Sequence, residues 1–156
     1  MQRLLQSESV RTIPMNEQIL KLENQLCFPL YAAAKEVVNR YKPYLDEIDL
    51  TYTQYIAMMV LWEHQSIGVK EMGRYLYLDS GTLTPLLKRL EKKGYVRRER
   101  SEKDERAVII TITDKGEKLK KKAAEVPLKM KGCIPLSIEE AGILYKLLYK
   151  VLDQEV

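Results

Sequence analysis

The sequence contains few of the residues that build metal sites and disulfide frameworks. It has one histidine, His64, and two cysteines, Cys27 and Cys133, with no Cys-x-x-Cys pair. We therefore expect no metal site and no cofactor. The apolar runs are too short to span a membrane, and Met1 leads into a mixed polar stretch rather than the apolar block of a signal peptide. We expect a cytoplasmic protein with no membrane partner, in which the cysteines need not form a structural disulfide.

The composition is that of a globular chain, with 46% hydrophobic and 31% charged residues in 156. The net charge is only +4, but it is unevenly distributed. Four cations and one acid lie between Lys88 and Lys93, and seven lysines with two glutamates lie between Lys115 and Lys131. Such segments suit a polyanionic partner, although solvated helices also carry them.

The most informative stretch runs from Leu78 to Gly94. Small polar side chains that can cap a helix stand at its start, and Pro85 predicts a helix beginning within the preceding few residues, since proline suits a first turn. Leucines then recur at helical spacing, with cations on the opposite side, and Gly94 supplies the end. The capping candidates are Asp79, Ser80 and Thr82, and the leucines are Leu83, Leu86, Leu87 and Leu90.

Such a helix suits the major groove of DNA. Its hydroxyl groups can meet base edges or phosphates while its cations lie near the backbone. The candidate contacts are Asp79, Ser80, Thr82, Thr84, Lys88 and Arg89. An ordinary amphipathic surface helix would show the same pattern, so the neighbouring elements decide between the two.

Those neighbours favour a winged helix-turn-helix. A helix capped by Thr51 or Thr53, a turn at 66–68 and a short helix from Val69 precede the stretch, and a period of two follows it. Residues 95–100 form one predicted strand, and Val108, Ile110 and Ile112 alternate on a second. Ser101 to Glu105 then form a hairpin tip, and Arg106 beside it can enter a minor groove. On its own, such a hairpin would be interpreted as an ordinary solvent-exposed hairpin, but its position after this helix favours a wing.

The chain ends show long apolar stripes. We predict a flexible tail over 1–15 and a helix from Asn16 that either kinks at Pro29 or starts near it, and that ends at Lys42–Pro43. A lysine-rich helix from Thr113 to about Lys131 and a last helix behind a Ser137 capping box complete the chain. The predicted fold is mainly α with a small β-hairpin wing. One domain, 16–156, divides into dimerisation helices, 16–50 and 114–156, around a winged helix-turn-helix, 51–113. A two-fold dimer would place two recognition helices one DNA turn apart.

Several segments together resemble the MarR family, and more narrowly its OhrR branch of organic-hydroperoxide-sensing repressors. The resemblance covers about residues 17–125, and the last helix fits by type. It rests on residues 22–28 (LENQLCF), 50–55 (LTYTQY), 61–64 (LWEH), 77–87 (YLDSGTLTPLL) and 104–106 (DER).

The resemblance implies a dimeric repressor that binds a pseudo-palindromic DNA operator and controls a peroxide-resistance gene. It implies that Cys27 is the peroxide-reactive thiol, that Tyr41 and Tyr52 hydrogen-bond it, and that Tyr31 lines the same pocket, with some tyrosines supplied by the partner subunit. It also implies DNA contacts by the groove-facing helix and by Arg106. Cys133 resembles in spacing the second cysteine of a two-cysteine subgroup, where it forms a disulfide with the sensing cysteine across the dimer.

Pro29 departs from the pattern of the family, and each of the two cysteines admits another interpretation. Pro29 stands where family members carry an ordinary apolar residue; if it marks a helix start, the helix dipole would favour a thiolate at Cys27, the form that attacks peroxides. Cys27 could equally be a small buried hydrophobe, and Cys133 an incidental loop cysteine.

Three other functions remain as alternatives to the thiol-switched repressor. One is a repressor of the same type that responds to a small aromatic ligand, with Cys27 serving only in packing. Another is a thiol peroxidase that uses Cys27 and Cys133 as attacking and resolving groups. The third is a protein-interaction module built from the terminal helices. We do not expect an enzyme, because a helix with hydroxyl residues at its start and cations behind them has no purpose in a peroxidase.

Overall fold

The computed structural model describes residues 18–101 and 107–152, which divide into two compact units between Val37 and Val38. Among the elements whose bounds lie within these residues, a short 3-10 helix at Leu22–Asn24 precedes seven α-helices and three strands. The helices are α1 (Cys27–Asp46), α2 (Tyr52–His64), α3 (Val69–Leu76), α4 (Ser80–Lys92), α5 (Asp114–Ala123), α6 (Glu125–Lys129) and α7 (Ile138–Leu152). The strands are β1 (Ser66–Gly68), β2 (Val96–Arg100) and β3 (Val108–Ile112). The predicted tail over 1–15 and most of the hairpin tip, with Arg106, lie outside the described residues.

Of the two alternatives for Pro29, a helix from Asn16 kinked at this residue is wrong, and a helix that starts near it is confirmed. Helix α1 begins at Cys27, which puts Pro29 in its first turn, where the missing N–H removes no helical hydrogen bond. Before it, the Asn24 side chain donates to the Gln18 carbonyl at 2.8 Å, and the Gln25 side chain donates to the Ile19 carbonyl. These side-chain bonds to the backbone compete with a regular helix in this segment.

The predicted end of the first helix at Lys42–Pro43 is also wrong, since α1 continues through Pro43 to Asp46. Proline there removes one hydrogen bond close to the end of the helix, where the cost is smallest. The last turn is held by burial of Leu45, which is 1% exposed, and by an ion pair at 2.7 Å between Lys42 and Asp46.

The core of the second unit forms where α2, α3 and α4 meet the sheet. Leu83, Leu86, Leu87 and Leu90 are all buried, as the helical spacing predicts, and pack in one cluster with Met58, Leu61 and Met72. Thr51 caps α2 with a reciprocal capping box to Gln54, which confirms one of the two predicted caps. Met59, on the outer face of α2, is exposed.

The three strands form an antiparallel sheet in the order β1-β3-β2. The hairpin of β2 and β3 is confirmed, with Val96 opposite Ile112 and Arg100 opposite Val108. The predicted turn at 66–68 is wrong: Ser66–Gly68 forms strand β1, which pairs with Ile109–Thr111. Ile67 is buried against the core, but three residues are too few to show a period of two.

The chain after the sheet follows its predicted caps but not its predicted helix length. Thr113 caps α5, and Ser137 forms a reciprocal capping box with Glu140 at 2.8 and 3.2 Å. The predicted single helix to Lys131 is interrupted at Ala124, because Pro127 has no N–H to donate to the carbonyl of Ala123. In the described part of the chain no helix combines the length and the apolar character that crossing a bilayer requires.

Candidate nucleic-acid interface and thiol site

The start of α4 is fixed by the side chain of Asp79. One carboxylate oxygen accepts a hydrogen bond from the Thr82 N–H at 2.9 Å, and the other accepts from the Thr82 hydroxyl at 2.8 Å. These bonds from Thr82 lower the pKa of Asp79 below its ordinary value. Of the three predicted caps, Asp79 is therefore the one that caps the helix, and its partner Thr82 is held at the helix start.

Pro85 lies one turn further into α4 than predicted. It is inside the helix rather than in its first turn, so one backbone hydrogen bond is absent near the exposed N-terminus. The Thr84 hydroxyl donates to the carbonyl of Ser80 at 2.7 Å and thereby satisfies one of the carbonyls at this end. That carbonyl is not the one that Pro85 leaves without its helical donor, which is the carbonyl of Gly81.

The polar residues of α4 lie on its exposed side, away from the leucines. The predicted contact residues Asp79, Ser80, Thr82, Thr84, Lys88 and Arg89 are all exposed. Hydroxyl groups occupy the N-terminal half of this surface, and the two cations occupy the C-terminal half. The structure thus brings every described member of the predicted DNA-binding set onto the exposed side of α4 and its N-cap, where the hydroxyl protons of Thr82 and Thr84 are donated within the helix start and Lys88 and Arg89 are exposed.

An ion pair that the sequence analysis missed joins α4 to the wing. The Glu91 carboxylate accepts from Arg98 Nε at 2.8 Å and from the Arg98 backbone N–H at 3.2 Å. Because β2 is an edge strand, that N–H faces away from β3 and needs an acceptor elsewhere. The opposite charges of Glu91 and Arg98 on either side of the Gly94 turn were the available signal.

The predicted sensing cysteine lies in the first unit. Cys27 is the first residue of α1 and is exposed, and Tyr31 lies one turn further along the same helix, also exposed. The positive end of the α1 dipole therefore lies at the residue that carries the sulfur. The position of Cys27 at the start of α1 follows from the helix starting near Pro29, the second of the two predicted alternatives.

The two predicted thiol-binding tyrosines lie together in the second unit. The rings of Tyr41 and Tyr52 meet edge to face with centroids 5.0 Å apart, and Tyr55 lies 6.2 Å from Tyr41. Burial, and secondarily the proximity of Tyr41, raises the pKa of Tyr52 above 10.0. The Tyr52 hydroxyl therefore stays protonated at neutral pH and is available as a hydrogen-bond donor.

Cys133 is half-buried at the break after α6. Its sulfur lies 3.9 Å from the carbonyl of Lys129, and Arg40 donates to its backbone carbonyl. The neighbouring Gly132 has φ of +83°, a conformation that favours glycine, so the chain turns sharply beside the thiol.

An apolar cleft of about 330 Å³ opens between α2 and the α5–α6 segment. Its walls are largely apolar, with one acid and one lysine among the lining residues. The residues that line it are Tyr55, Met59, Trp62, Glu63, Lys120, Ala123, Ala124 and Pro127. No local sequence pattern marks this cleft, because its two walls are separated by more than fifty residues.

Comparisons with known proteins place this architecture. The family described as "Transcriptional regulator SarA/Rot" matches residues 39–123, more than half of the chain. The organic hydroperoxide resistance transcriptional regulator of Bacillus subtilis is 51% identical over 134 residues, which cover 86% of this chain and 91% of that protein. A MarR C80S mutant from E. coli, solved with operator DNA, is 25% identical with a TM-score of 0.73, over 88% of this chain and 98% of that one. The chain belongs to the MarR family of transcriptional regulators.

Within the MarR family, the structures of AbfR add a redox context. Overoxidised AbfR bound to DNA is 36% identical with a TM-score of 0.73, over 88% of this chain and 97% of that chain. A disulfide-formed AbfR is 38% identical with a TM-score of 0.60, over 86% and 97%. AbfR is from Staphylococcus epidermidis. The resemblance to the MarR family and its hydroperoxide branch, and the winged-helix fold it implied, are confirmed.

Proposed function

We propose that this MarR-family regulator is a dimeric repressor that releases its DNA operator when organic hydroperoxides oxidise Cys27, and that it controls a peroxide-resistance gene. The exposed polar side of α4, held in place by a buried leucine stripe, is the observation that carries the proposal. The 51% identical relative named for organic hydroperoxide resistance supports the choice of signal.

In the proposed complex, α4 enters the major groove of a pseudo-palindromic operator. The Ser80 hydroxyl meets base edges or phosphates, and Lys88 and Arg89 lie near the backbone. The hydroxyl oxygens of Thr82 and Thr84, whose protons are donated within the helix start, accept hydrogen bonds from base edges. Asp79 keeps Thr82 oriented through the two hydrogen bonds of the cap. Arg106 enters the minor groove from the wing.

The proposed dimer uses the helices at the two ends of the chain. Helix α7 has no buried residue, although most of its residues are apolar, and Ile138 is 95% exposed. A helix that is apolar over so much of its surface requires another surface to cover it. A second copy of the chain supplies that surface and sets the spacing of the two α4 helices.

The proposed signal is a thiol oxidation. The Cys27 thiolate attacks the O–O bond of R′OOH and becomes a sulfenic acid, while the other oxygen leaves as the alkoxide and takes a proton to give R′OH. The family resemblance assigns hydrogen bonds to this sulfur to the hydroxyls of Tyr41 and Tyr52 and a place in the pocket lining to Tyr31, with some of these tyrosines supplied by the partner subunit.

Cys133 then serves as the resolving thiol. The Cys133 thiol of one protomer condenses with the Cys27 sulfenic acid of its partner, forming the S–S bond and releasing water. The disulfide-formed structure of AbfR, which is 38% identical, supports this step. A non-reducing gel after peroxide treatment tests it: a covalent dimer that disappears on changing either cysteine to serine is expected, and an unchanged monomer band would contradict it.

A titration of the gene's own upstream duplex tests the function as a whole. Wild-type protein is expected to bind tightly when reduced and to dissociate on addition of an organic hydroperoxide, whereas Cys27→Ser should bind and no longer respond. Cys133→Ser is the matched cysteine variant, which should still form the sulfenic acid but no covalent dimer. Absence of duplex binding by the reduced wild-type protein would refute the proposal.

The cleft between α2 and the α5–α6 segment favours one second candidate, a repressor that responds to a small aromatic ligand. Its size and its largely apolar walls, which include Tyr55 and Trp62, suit a small aromatic ligand. In that case Cys27→Ser would leave the response to the physiological signal intact, so the same variant separates the two candidates.

A further inference from the structure

Lys93 directly follows the last residue of α4. Its ammonium group has an acceptor for each of its three hydrogens. It donates to the backbone carbonyl of Asp49, contacts Asp49 Oδ1 at 3.0 Å, and donates to Gln54 Oε1 at 3.4 Å. The Lys93 side chain is 26% exposed. A lysine whose donors are all engaged within the protein is not free to bind a DNA phosphate, unlike the exposed cations of α4.

The acceptors of Lys93 are themselves fixed in position. Asp49 has φ of +52°, a conformation that aspartate tolerates better than most residues, and it lies in the connector between α1 and α2. Gln54 is only 3% exposed, and its Oε1 also accepts from the Thr51 N–H at 3.1 Å in the capping box of α2. The lysine therefore joins the end of α4 to a rigid corner at the start of α2.

The same end of α4 is held from the other side by α5. Lys115 Nζ donates to the Lys93 carbonyl at 2.7 Å and lies 5.0 Å from the centre of the Tyr95 ring. The Thr113 hydroxyl donates to the carbonyl of Gly94 at 2.6 Å. The C-terminal end of the recognition helix is thus tied both to the connector that follows the helix of Cys27 and to the helical segment that precedes Cys133.

We infer that Lys93 is a positioning residue that fixes the orientation of the recognition helix α4 relative to the α1–α2 connector, and through it the fit of the dimer to its operator. The inference rests on the proposed function, since it concerns operator binding. It gives one lysine of the basic stretch 88–93 a role in operator binding that depends on its bonds to Asp49 and Gln54 and not on contact with DNA. A change in the connector after oxidation would be transmitted to α4 by this residue.

The test compares Lys93→Met with Lys92→Met. Both remove one positive charge from neighbouring positions, but Lys92 is exposed, whereas Lys93 is bound to the connector. Hydrogen bonds from a charged donor are strong enough that Lys93→Met should weaken operator binding by the reduced protein about tenfold. Lys92→Met should change it by less than about threefold, as for a peripheral charge.

The salt dependence of binding separates positioning from contact. Loss of a phosphate contact lowers the slope of log K against log salt by about 0.9. Lys93→Met should leave that slope at the wild-type value while weakening binding, and it should discriminate less between operators whose half-sites are moved by one base pair. A loss of slope would show that Lys93 contacts DNA, and binding equal to that of Lys92→Met would show that it has no positioning role.

Two further arms keep the test decisive. Asp49→Asn retains a hydrogen-bond acceptor, and asparagine tolerates the positive φ, so this variant should fold. It should weaken operator binding, but less than Lys93→Met does. If Asp49→Asn and a folded Lys93→Met both bind the operator as tightly as the wild-type protein, the inference is overturned. If wild-type protein does not bind the duplex at all, the proposed function fails and this inference fails with it. If wild-type protein binds but does not respond to peroxide, only the redox part of the proposed function fails.

Discussion

Removal of the Glu91 carboxylate should loosen the wing from the recognition helix. Glu91→Ala deletes the ion pair at 2.8 Å to Arg98 Nε and the acceptor of the Arg98 N–H at 3.2 Å. The side chains of Arg98 and Glu91 are 25% and 38% exposed, so solvent screening limits the ion pair to about 0.5–1 kcal/mol. The lost backbone hydrogen bond adds about 1 kcal/mol. Together the variant should lower the free energy of unfolding by roughly 1.5 kcal/mol.

Urea unfolding followed by the fluorescence of Trp62, the single tryptophan, measures this change. Protomer concentration must be equal in all samples, because a dimer is stabilised by mass action. Glu99→Ala is the matched control, since it removes the same charge from an exposed position on β2 and should cost less than about 0.5 kcal/mol. Equal unfolding midpoints for Glu91→Ala and Glu99→Ala would refute the assigned role of the ion pair.

Two further predictions concern the packing and the cap. A Cβ at Gly116 would lie 2.3 Å from the Tyr95 carbonyl oxygen, so Gly116→Ala should destabilise the protein by more than about 2 kcal/mol in the same urea assay. Gly68→Ala is the control: its Cβ would meet only Ile109 at 3.9 Å, and it should cost less than about 1 kcal/mol. Because the pKa of Asp79 is lowered below 3.8 in the folded state, its stabilising contribution is complete above the unfolded-state pKa and is lost as pH falls through the folded one. Asp79→Asn keeps a capping oxygen without the titration, so an acid titration followed by circular dichroism should show a smaller loss of stability below about pH 4 than in wild-type protein; identical acid profiles would contradict this.

The recognition helix and the wing could be predicted because their signals are local. The leucine stripe of α4, the capping carboxylate of Asp79 and the stop at Gly94 act within one helix, and the alternation of β3 is visible over five residues. Caps at Thr51, Thr113 and Ser137 were equally readable, because each depends on a partner three residues away.

The errors arose where tertiary packing outweighs a local rule. Pro43 and Pro85 lie inside helices because buried neighbours, Leu45 in one case and Leu83 to Leu90 in the other, stabilise the helix by more than one missing hydrogen bond costs. Strand β1 depends on pairing with β3, more than forty residues away, so its three residues resemble a turn in isolation.

The candidate site divides in the same way. The residues proposed to contact DNA, apart from Arg106, belong to one helix and its N-cap, so sequence alone predicts a common surface for them. The contact of Lys93 with Asp49 and that of Glu91 with Arg98 depend on how separate elements pack, and the basic run gave no sign that one lysine is engaged internally. The roles of Cys27 and the tyrosines came from the family resemblance, because a cysteine and its tyrosine neighbours in sequence do not by themselves specify a sensor.

The most direct test of the central claim is the affinity of the wild-type protein for its own upstream duplex, measured by fluorescence anisotropy before and after treatment with an organic hydroperoxide and again after reduction. The proposed thiol switch predicts tight binding by the reduced protein, at least a tenfold loss after oxidation, recovery on reduction, and no loss in Cys27→Ser. Equal affinity before and after oxidation of Cys27, with the modification verified by mass spectrometry, would contradict it.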